Sequence, residues 1–371
     1  MEERGEIELK RILQLITRSD WAGGQKVLYS IVYGLKKYYP DEFEVEVACG
    51  TDNGMLVLEL KKIDVKVSII KHLVREISPL YDFKAYWEIK SLIKKRKYDV
   101  VHTHSSKAGI LGRVAARKCG IKKVIHTYHG FWGIEQYRGI KRKLLILSER
   151  IASKYCDNLV FLCEREQEKA RKWKIGKKNQ YVIIPNAIIP TSPVPAGLLR
   201  KELNIPKNVK IVGNVARLDP PKNPIRFLEI AKEILKKRTD VIFVWIGGSI
   251  VEDSCGKRVT KFLNMNPWMK TKVFFLPFRK DVVKLMADFD VFLLTSDEEG
   301  MPLAVLEAMN QKVPIVSTDV GCVKELTNRT YRRNSDLVKG VLELLQNPDK
   351  NENLELSYES FIESYVALYK G

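Results

Sequence analysis

No apolar run in the 371 residues approaches the roughly 18 needed to cross a bilayer as a helix. The opening, MEERGEIELK, is charged and has no apolar core of the kind a secretory signal requires. The expectation is a cytoplasmic chain. Cys49, Cys119, Cys156, Cys163, Cys255 and Cys322 are scattered with no Cys-x-x-Cys pair. That scatter predicts mostly reduced, packed thiols, not a zinc ribbon or a disulfide scaffold. Neither VGNVAR nor WIGGS supplies Gly-x-Gly-x-x-Gly, which argues against an NAD-dependent oxidoreductase. His102, His104, His126 and His129 show no metal-ligand spacing, and there is no internal repeat or low-complexity tract.

What is present is a core-forming composition with a strong basic bias. Hydrophobic residues make up 45% of the chain, so disorder is excluded as a first reading. The net charge is +19. It bears on partners and not on fold: nucleic acid, an anionic membrane and a phosphorylated substrate all fit. Many of the basic residues, as in LKKRTD, also suit ordinary solvated helix faces.

At about 150 residues per domain the length suggests two domains. Short apolar runs alternate with helical patterns: RILQLIT, EVEVACG, YDVVHTH, KVIHTYHG and NLVFLCE read as strands, KVLYSIVYGLKKYY and GILGRVAARKCG as helices. This is the β-α-β rhythm of a parallel sheet. A proline-rich stretch with Pro185, Pro190, Pro193, Pro195 and Pro206 then marks a linker near residues 187–205. After it the rhythm restarts with KIVGNVA, VIFVWIGG, VFFLPF, DVFLLTS and VPIVSTD. The expected organisation is two doubly wound domains, 1–188 and 189–352, and a tail, 353–371, whose Phe361, Tyr365 and Leu368 lie at helical spacing and suit packing back on the first domain. Ligands of such sheets bind outside the carboxyl ends of the strands, so the cleft between two sheets is the expected site.

The stretch SDEEGMPLAVLEAM concentrates the chemistry. Gly300 allows a tight turn after the strand DVFLLTS, and Pro302 suits the first turn of a helix. Free N–H groups at that helix start attract phosphate. Glu307 falls one turn after Leu303 and beside Leu306, and a carboxylate among leucines must be hydrogen-bonded or paired. Ribose hydroxyls would satisfy it, with Glu299 at the loop tip reaching a neighbouring sugar. A structural salt bridge and a solvated loop residue explain the same two glutamates.

In order along the chain, SDWAGGQ, VVHTHSSKAGILGRVAARKCG, VIHTYHGFWG, NVARLDPPKNP, EEGMPLAVLEAM and STDVGCVKEL resemble family 4 of the retaining glycosyltransferases, in particular members that build bacterial polysaccharides and lipid-linked glycans. The resemblance covers nearly the whole chain. It implies the GT-B fold, an α/β architecture of two Rossmann-like doubly wound parallel-sheet domains facing a central cleft, with an acceptor side in the first domain and a nucleotide-sugar site in the second. The implied activity is transfer of a hexose or N-acetylhexosamine from a nucleotide-sugar, with UDP the expected nucleotide, to a lipid-linked or glycan acceptor.

The resemblance also implies roles. Arg217 and Lys222 would meet the diphosphate, Glu307 the ribose and Glu299 the donor sugar. Gly300 would shape the turn, and backbone N–H groups at Leu303 and Ala304 would face phosphate. Gly23 and Gly24 would form a glycine-rich loop in which Gly24 lets backbone approach the diphosphate. His129 would stand near the transferred sugar, while His102, His104 and His126 suit structural roles. Positive charge from Arg217, Lys222 and a helix start would stabilise the leaving diphosphate, so no metal and no cofactor are expected. Three features depart from the family pattern: Cys322 replaces a glycine, Pro277 replaces another, and TNRTYRRNSD is a short loop where a glycine-rich segment is usual.

Finally, GFWGIEQYRGIKRKLLILSER sets Trp132, Tyr137, Leu144, Leu145 and Ile146 among Arg138, Lys141, Arg142 and Lys143. This mixture suits an anionic membrane surface, and equally a core helix with a basic outer face. The rival readings are a nucleotide-sugar epimerase of the same fold and a basic nucleic-acid-binding protein. The second lacks any recognised module, and no nucleic-acid partner is expected.

Overall fold

A computed structural model describes residues 9–248, 254–348 and 356–371. The charged opening residues 1–8 and the expected boundary at 352/353 lie outside the described residues. The chain divides into two units, Met1–Ile189 with Leu356–Gly371, and Pro190–Glu355.

The first unit is built on strands β1 (Lys10–Leu15), β2 (Phe43–Cys49), β3 (Lys66–Ile69), β4 (Val100–His104), β5 (Lys123–Thr127), β6 (Asn158–Phe161) and β7 (Tyr181–Ile183). They form one parallel sheet in the order β3-β2-β1-β4-β5-β6-β7. The second unit repeats the pattern with β8 (Lys210–Val215), β9 (Val241–Ile246), β10 (Val273–Leu276), β11 (Val291–Leu294), β12 (Ile315–Thr318) and β13 (Thr330–Tyr331), ordered β10-β9-β8-β11-β12-β13. Buried apolar strands such as VIFVWI, buried at all six positions, are what a sheet covered by helices on both faces demands. In each sheet the order reverses once, between β1 and β4 and between β8 and β11. These are the switch points at which doubly wound sheets bind ligands.

Two local differences from the sequence reading have plain causes. Gly23 and Gly24 open the helix Gly23–Tyr38 instead of sitting in a loop, because Ala22 takes the extended N-cap conformation. Pro302 is the N-cap of the helix Leu303–Asn310 and not its first residue, with extended backbone at ψ 118°. Cys49, Cys119, Cys156 and Cys255 carry free thiols.

One face of the first sheet packs its apolar core, with Leu13, Leu15, Val101 and Val124, beneath the helices Pro79–Arg96 and Ser106–Lys118. On the other face lie Gln14, His102, His104 and Thr127, paired across β1, β4 and β5. The C-terminal helix Tyr358–Lys370 contributes Tyr365 and Tyr369 to that face, both buried. Tyr369, not Leu368, carries its apolar stripe onward, and Leu368 is half-buried. Tyr358 donates to the carbonyl of Ser30 at 2.6 Å, and Lys10 Nζ donates to the final carbonyls of the helix at Tyr369 and Lys370.

Candidate functional site

In the second unit the loops leaving the carboxyl ends of β8 and β11 are laced together. After β8 come Arg217, a short turn Pro220–Lys222 and the helix Pro224–Leu235. Asn223 adopts φ 47°, which lets its side chain accept from the Arg226 N–H and start that helix. Asp297, just beyond β11, holds the first loop in place: its N–H donates to Pro221, and its carboxylate takes Asn223 Nδ2 at 2.9 Å and Arg226 Nη1 at 2.9 Å.

This lacing brings Lys222 and Glu299 together. Lys222 Nζ is 2.7 Å from both carboxylate oxygens of Glu299, and the hydroxyl of Ser296 donates to Oε1 at 2.7 Å. Arg217 Nη2 pairs with Asp219 at 2.6 Å and keeps 40% of its side chain exposed. Gly321, at φ 50°, lies so close to the Gly300 carbonyl that a Cβ would sit 2.2 Å from it, and Cys322 N–H donates to that same carbonyl. The Glu299–Gly300 turn is thus fixed from the β12 side as well. Glu307 lies within the helix Leu303–Asn310 at 8% exposure, the buried carboxylate that its spacing predicted. Leu303 is buried and Ala304 half-buried in the first turn, which Pro302 leaves without a side-chain cap.

In the first unit Gly24 and His129 meet. A Cβ on Gly24 would stand 3.3 Å from His129 Cδ2, so glycine admits the imidazole here; within this unit Gly24 faces that ring. Gly23 borders open space. His129 follows β5 and stacks on His104 with ring centroids 5.2 Å apart. Its Nε2 is 3.0 Å from His104 Nδ1, whereas its Nδ1 is shielded from solvent and has no partner among the described residues. Burial pushes His129 down to about 4 and His102 to about 3, and holds His104 and His126 well below the ordinary histidine value. All four rings are therefore neutral at pH 7. His126 points to the other face, bonded to Thr103 at 2.9 Å.

The basic segment divides on inspection. Leu145 and Ile146 pack on the core, while Ile140, Leu144, Leu147 and Ile151 are exposed along one stripe of the helix Gly139–Ser153. Arg138, Lys141 and Lys143 are exposed beside it; Lys141 lies 3.7 Å over the Tyr137 ring. Arg142 instead packs on Trp173 at 5.2 Å. Trp132 is 38% exposed at the start of a short helix, Trp132–Glu135. The helix Gly139–Ser153 is anchored by an ion pair that the sequence does not reveal: Arg113 and Glu149, both buried, meet at 2.6 Å, and Tyr128 donates to the same Glu149 oxygen at 2.8 Å. Among the described residues no helix is long and apolar enough to cross a membrane.

Comparison with known proteins bears on the fold and the family. Residues 21–192 match the model described as Glycosyltransferase Family 4, and residues 197–357 the model described as Glycosyl transferases group 1. The chain is 34% identical over 291 residues to the UDP-Gal:alpha-D-GlcNAc-diphosphoundecaprenol alpha-1,3-galactosyltransferase of Escherichia coli, covering 76% of this chain and 72% of that one. It is 26% identical over 283 residues to the N,N'-diacetylbacillosaminyl-diphospho-undecaprenol alpha-1,3-N-acetylgalactosaminyltransferase of Campylobacter jejuni, covering 73% and 72%. HepE of Anabaena, crystallised with UDP and glucose, shares the fold at a TM-score of 0.78, 18% identity and 97% coverage of each chain. Two Rossmann-like parallel sheets with these relatives define a glycosyltransferase of the GT-B fold, a hexosyltransferase in type. The chain belongs to glycosyltransferase family 4.

Proposed function

We propose that this protein transfers a hexose or N-acetylhexosamine from a UDP-sugar to a glycan carried on a polyprenyl diphosphate, with retention of configuration and without a metal ion. The observation that carries the reading is the cluster of Lys222, Glu299 and Ser296 at the switch point between β8 and β11, with Arg217 on the same loop. A lysine ammonium has three N–H donors, so Lys222 can keep hold of Glu299 and still direct a proton at phosphate. Arg217 spends one of its five donors on Asp219. Two such cations, with the uncapped N–H groups of Leu303 and Ala304, supply the positive charge that a departing diphosphate requires. Buried Glu307 would accept from the ribose hydroxyls, and Glu299, fixed by Lys222 and Ser296, would orient the donor sugar; the family resemblance assigns His129 to the transferred sugar.

The lipid-linked acceptor is proposed from the curated relatives, whose names specify diphosphoundecaprenol carriers. The exposed stripe Ile140, Leu144, Leu147 and Ile151 supports it, since its spacing gives one apolar helical face flanked by Arg138, Lys141 and Lys143. The protein would dock there, with Trp132 nearby, on the anionic inner face of the membrane.

The test is thermal shift against UDP, GDP, ADP and CDP, with and without magnesium, on wild type and Glu307→Ala. A ligand at a hundred times its dissociation constant stabilises the native state by about 2.7 kcal/mol. A UDP-selective, magnesium-independent shift that the variant loses is the expected result. No shift with any nucleotide in folded protein would overturn the donor site.

A further inference from the structure

The polar face beneath the C-terminal helix is one continuous chain of hydrogen bonds that ends on His129. His129 Nε2 meets His104 Nδ1 at 3.0 Å, and His104 Nε2 meets Gln14 Oε1 at 2.8 Å. Gln14 Nε2 donates to Tyr369 Oη at 2.9 Å, and Tyr369 Oη meets His102 Nδ1 at 2.8 Å. His102 Nε2 then meets Thr127 Oγ1 at 2.8 Å, and Thr127 lies 3.3 Å from Tyr365 Oη. Except for half-buried His129, every member is buried, so a donor facing a donor is not relieved by water.

The Gln14 amide sets the direction of the chain. Its nitrogen faces Tyr369, so its oxygen accepts, and His104 must carry its proton on Nε2. His104 Nδ1 is then a lone pair, and His129 must offer it Nε2–H. On the other side Tyr369 accepts from Gln14 and gives its own proton to His102 Nδ1, leaving His102 to donate from Nε2 to Thr127. All three rings fall into the Nε2–H tautomer, and each bond requires the next. Because burial keeps His102, His104 and His129 neutral, tautomer and not charge is the variable that the chain controls.

We propose that Tyr369 and Gln14 are positioning residues that lock His129 as its Nε2–H tautomer and so present Nδ1 as a bare acceptor for a hydroxyl of the transferred sugar. The unpartnered Nδ1 is the end of this chain, and a sugar O–H is the group that would complete it. The inference rests on the reading that His129 faces the donor sugar. The control is long-range: Tyr369 lies 240 residues further along the chain than His129 and acts through Gln14 and His104.

The experiment is long-range ¹H–¹⁵N correlation on the full chain labelled at histidine, which separates the two nitrogens of each of the five rings. In wild type at pH 7 His102, His104 and His129 should each show a single Nε2–H pattern. Tyr369→Phe keeps the ring and removes both of its bonds, so the Gln14 amide is free to turn. Turned, it donates to His104 Nε2, His104 donates from Nδ1, and His129 gains an Nδ1–H population absent from wild type. Thr127→Val should loosen the same lock from the far end. Turnover of Tyr369→Phe should fall about tenfold while its melting curve still shows a UDP shift. An Nδ1–H pattern on His129 in wild type, or a His129 pattern unchanged in folded Tyr369→Phe, would overturn the proposal. His129→Ala tests the underlying reading separately. Full turnover in that variant would remove the sugar contact while leaving the measured tautomers as they are.

Discussion

Acid should destabilise the first unit well before its carboxylates titrate. His129 and His102 have folded pKa values near 4 and 3, against an ordinary histidine value of about 6.5. The folded value is the lower one, so between pH 6.5 and 4 the unfolded chain binds more protons. Stability therefore rises with pH through that window and is lost as the pH falls through it. For His129 the linkage relation gives a loss of about 2 kcal/mol between pH 7 and pH 5, and His102 gives about the same. Together they remove at most about 4 kcal/mol, a large share of a typical 5–15 kcal/mol. His104 and His126 act in the same direction. Glu166, whose carboxyl is pushed up by burial, opposes them, because protonating it favours the folded state. Urea denaturation at pH 7, 6 and 5, followed by tryptophan fluorescence, reads the effect. Trp21, Trp87, Trp132 and Trp173 all lie in the first unit, so the signal is weighted toward it. Superimposable transitions at pH 7 and pH 5 would refute the reasoning, because they would mean that these rings titrate normally in the folded protein.

Three further outcomes are expected. Glu149→Ala leaves Arg113 buried without its carboxylate and should cost about 3–5 kcal/mol in urea denaturation; a loss below about 1 kcal/mol would show that the pair is not desolvated. Arg217→Ala should slow transfer by about a hundredfold while leaving the melting temperature nearly unchanged, since the side chain is 40% exposed; full turnover would remove its phosphate role. Leu144→Asp with Leu147→Asp should abolish sedimentation with anionic liposomes without loss of stability, since both residues are exposed; undiminished binding would move the membrane face elsewhere.

Much of this architecture was legible in the sequence because it is written in local periodicity. Buried strands of four to seven residues, each followed by a helical pattern, specify parallel doubly wound sheets, and the proline-rich stretch marks the division. Glu307 was legible because one helical turn separates it from Leu303, so its burial follows from spacing alone. The pairing of Lys222 with Glu299 was not, since each had been expected to face a ligand and nothing local reports a partner 77 residues away. The relay was less legible still. The tail's aromatic spacing suggested a packed helix, but Gln14 and Tyr369 are 355 residues apart, and which polar groups meet across a buried face depends on the register of β1 against β4. The pairing of Arg113 with Glu149 was not legible either, because helical periodicity does not say which neighbouring helix covers a charge. The glycines of SDWAGGQ suggest a loop, because glycine marks turns more often than it opens helices, whereas here they start one.

The account stands or falls on transfer itself. The purified protein would be given radiolabelled UDP-galactose or UDP-N-acetylgalactosamine and a polyprenyl-diphosphate-linked N-acetylglucosamine in anionic vesicles, with EDTA present. The account predicts label in the lipid fraction, an α linkage in the released disaccharide, and loss of that product in Glu307→Ala. Turnover only after magnesium is added, a β linkage, or full product from the Glu307 variant would contradict it.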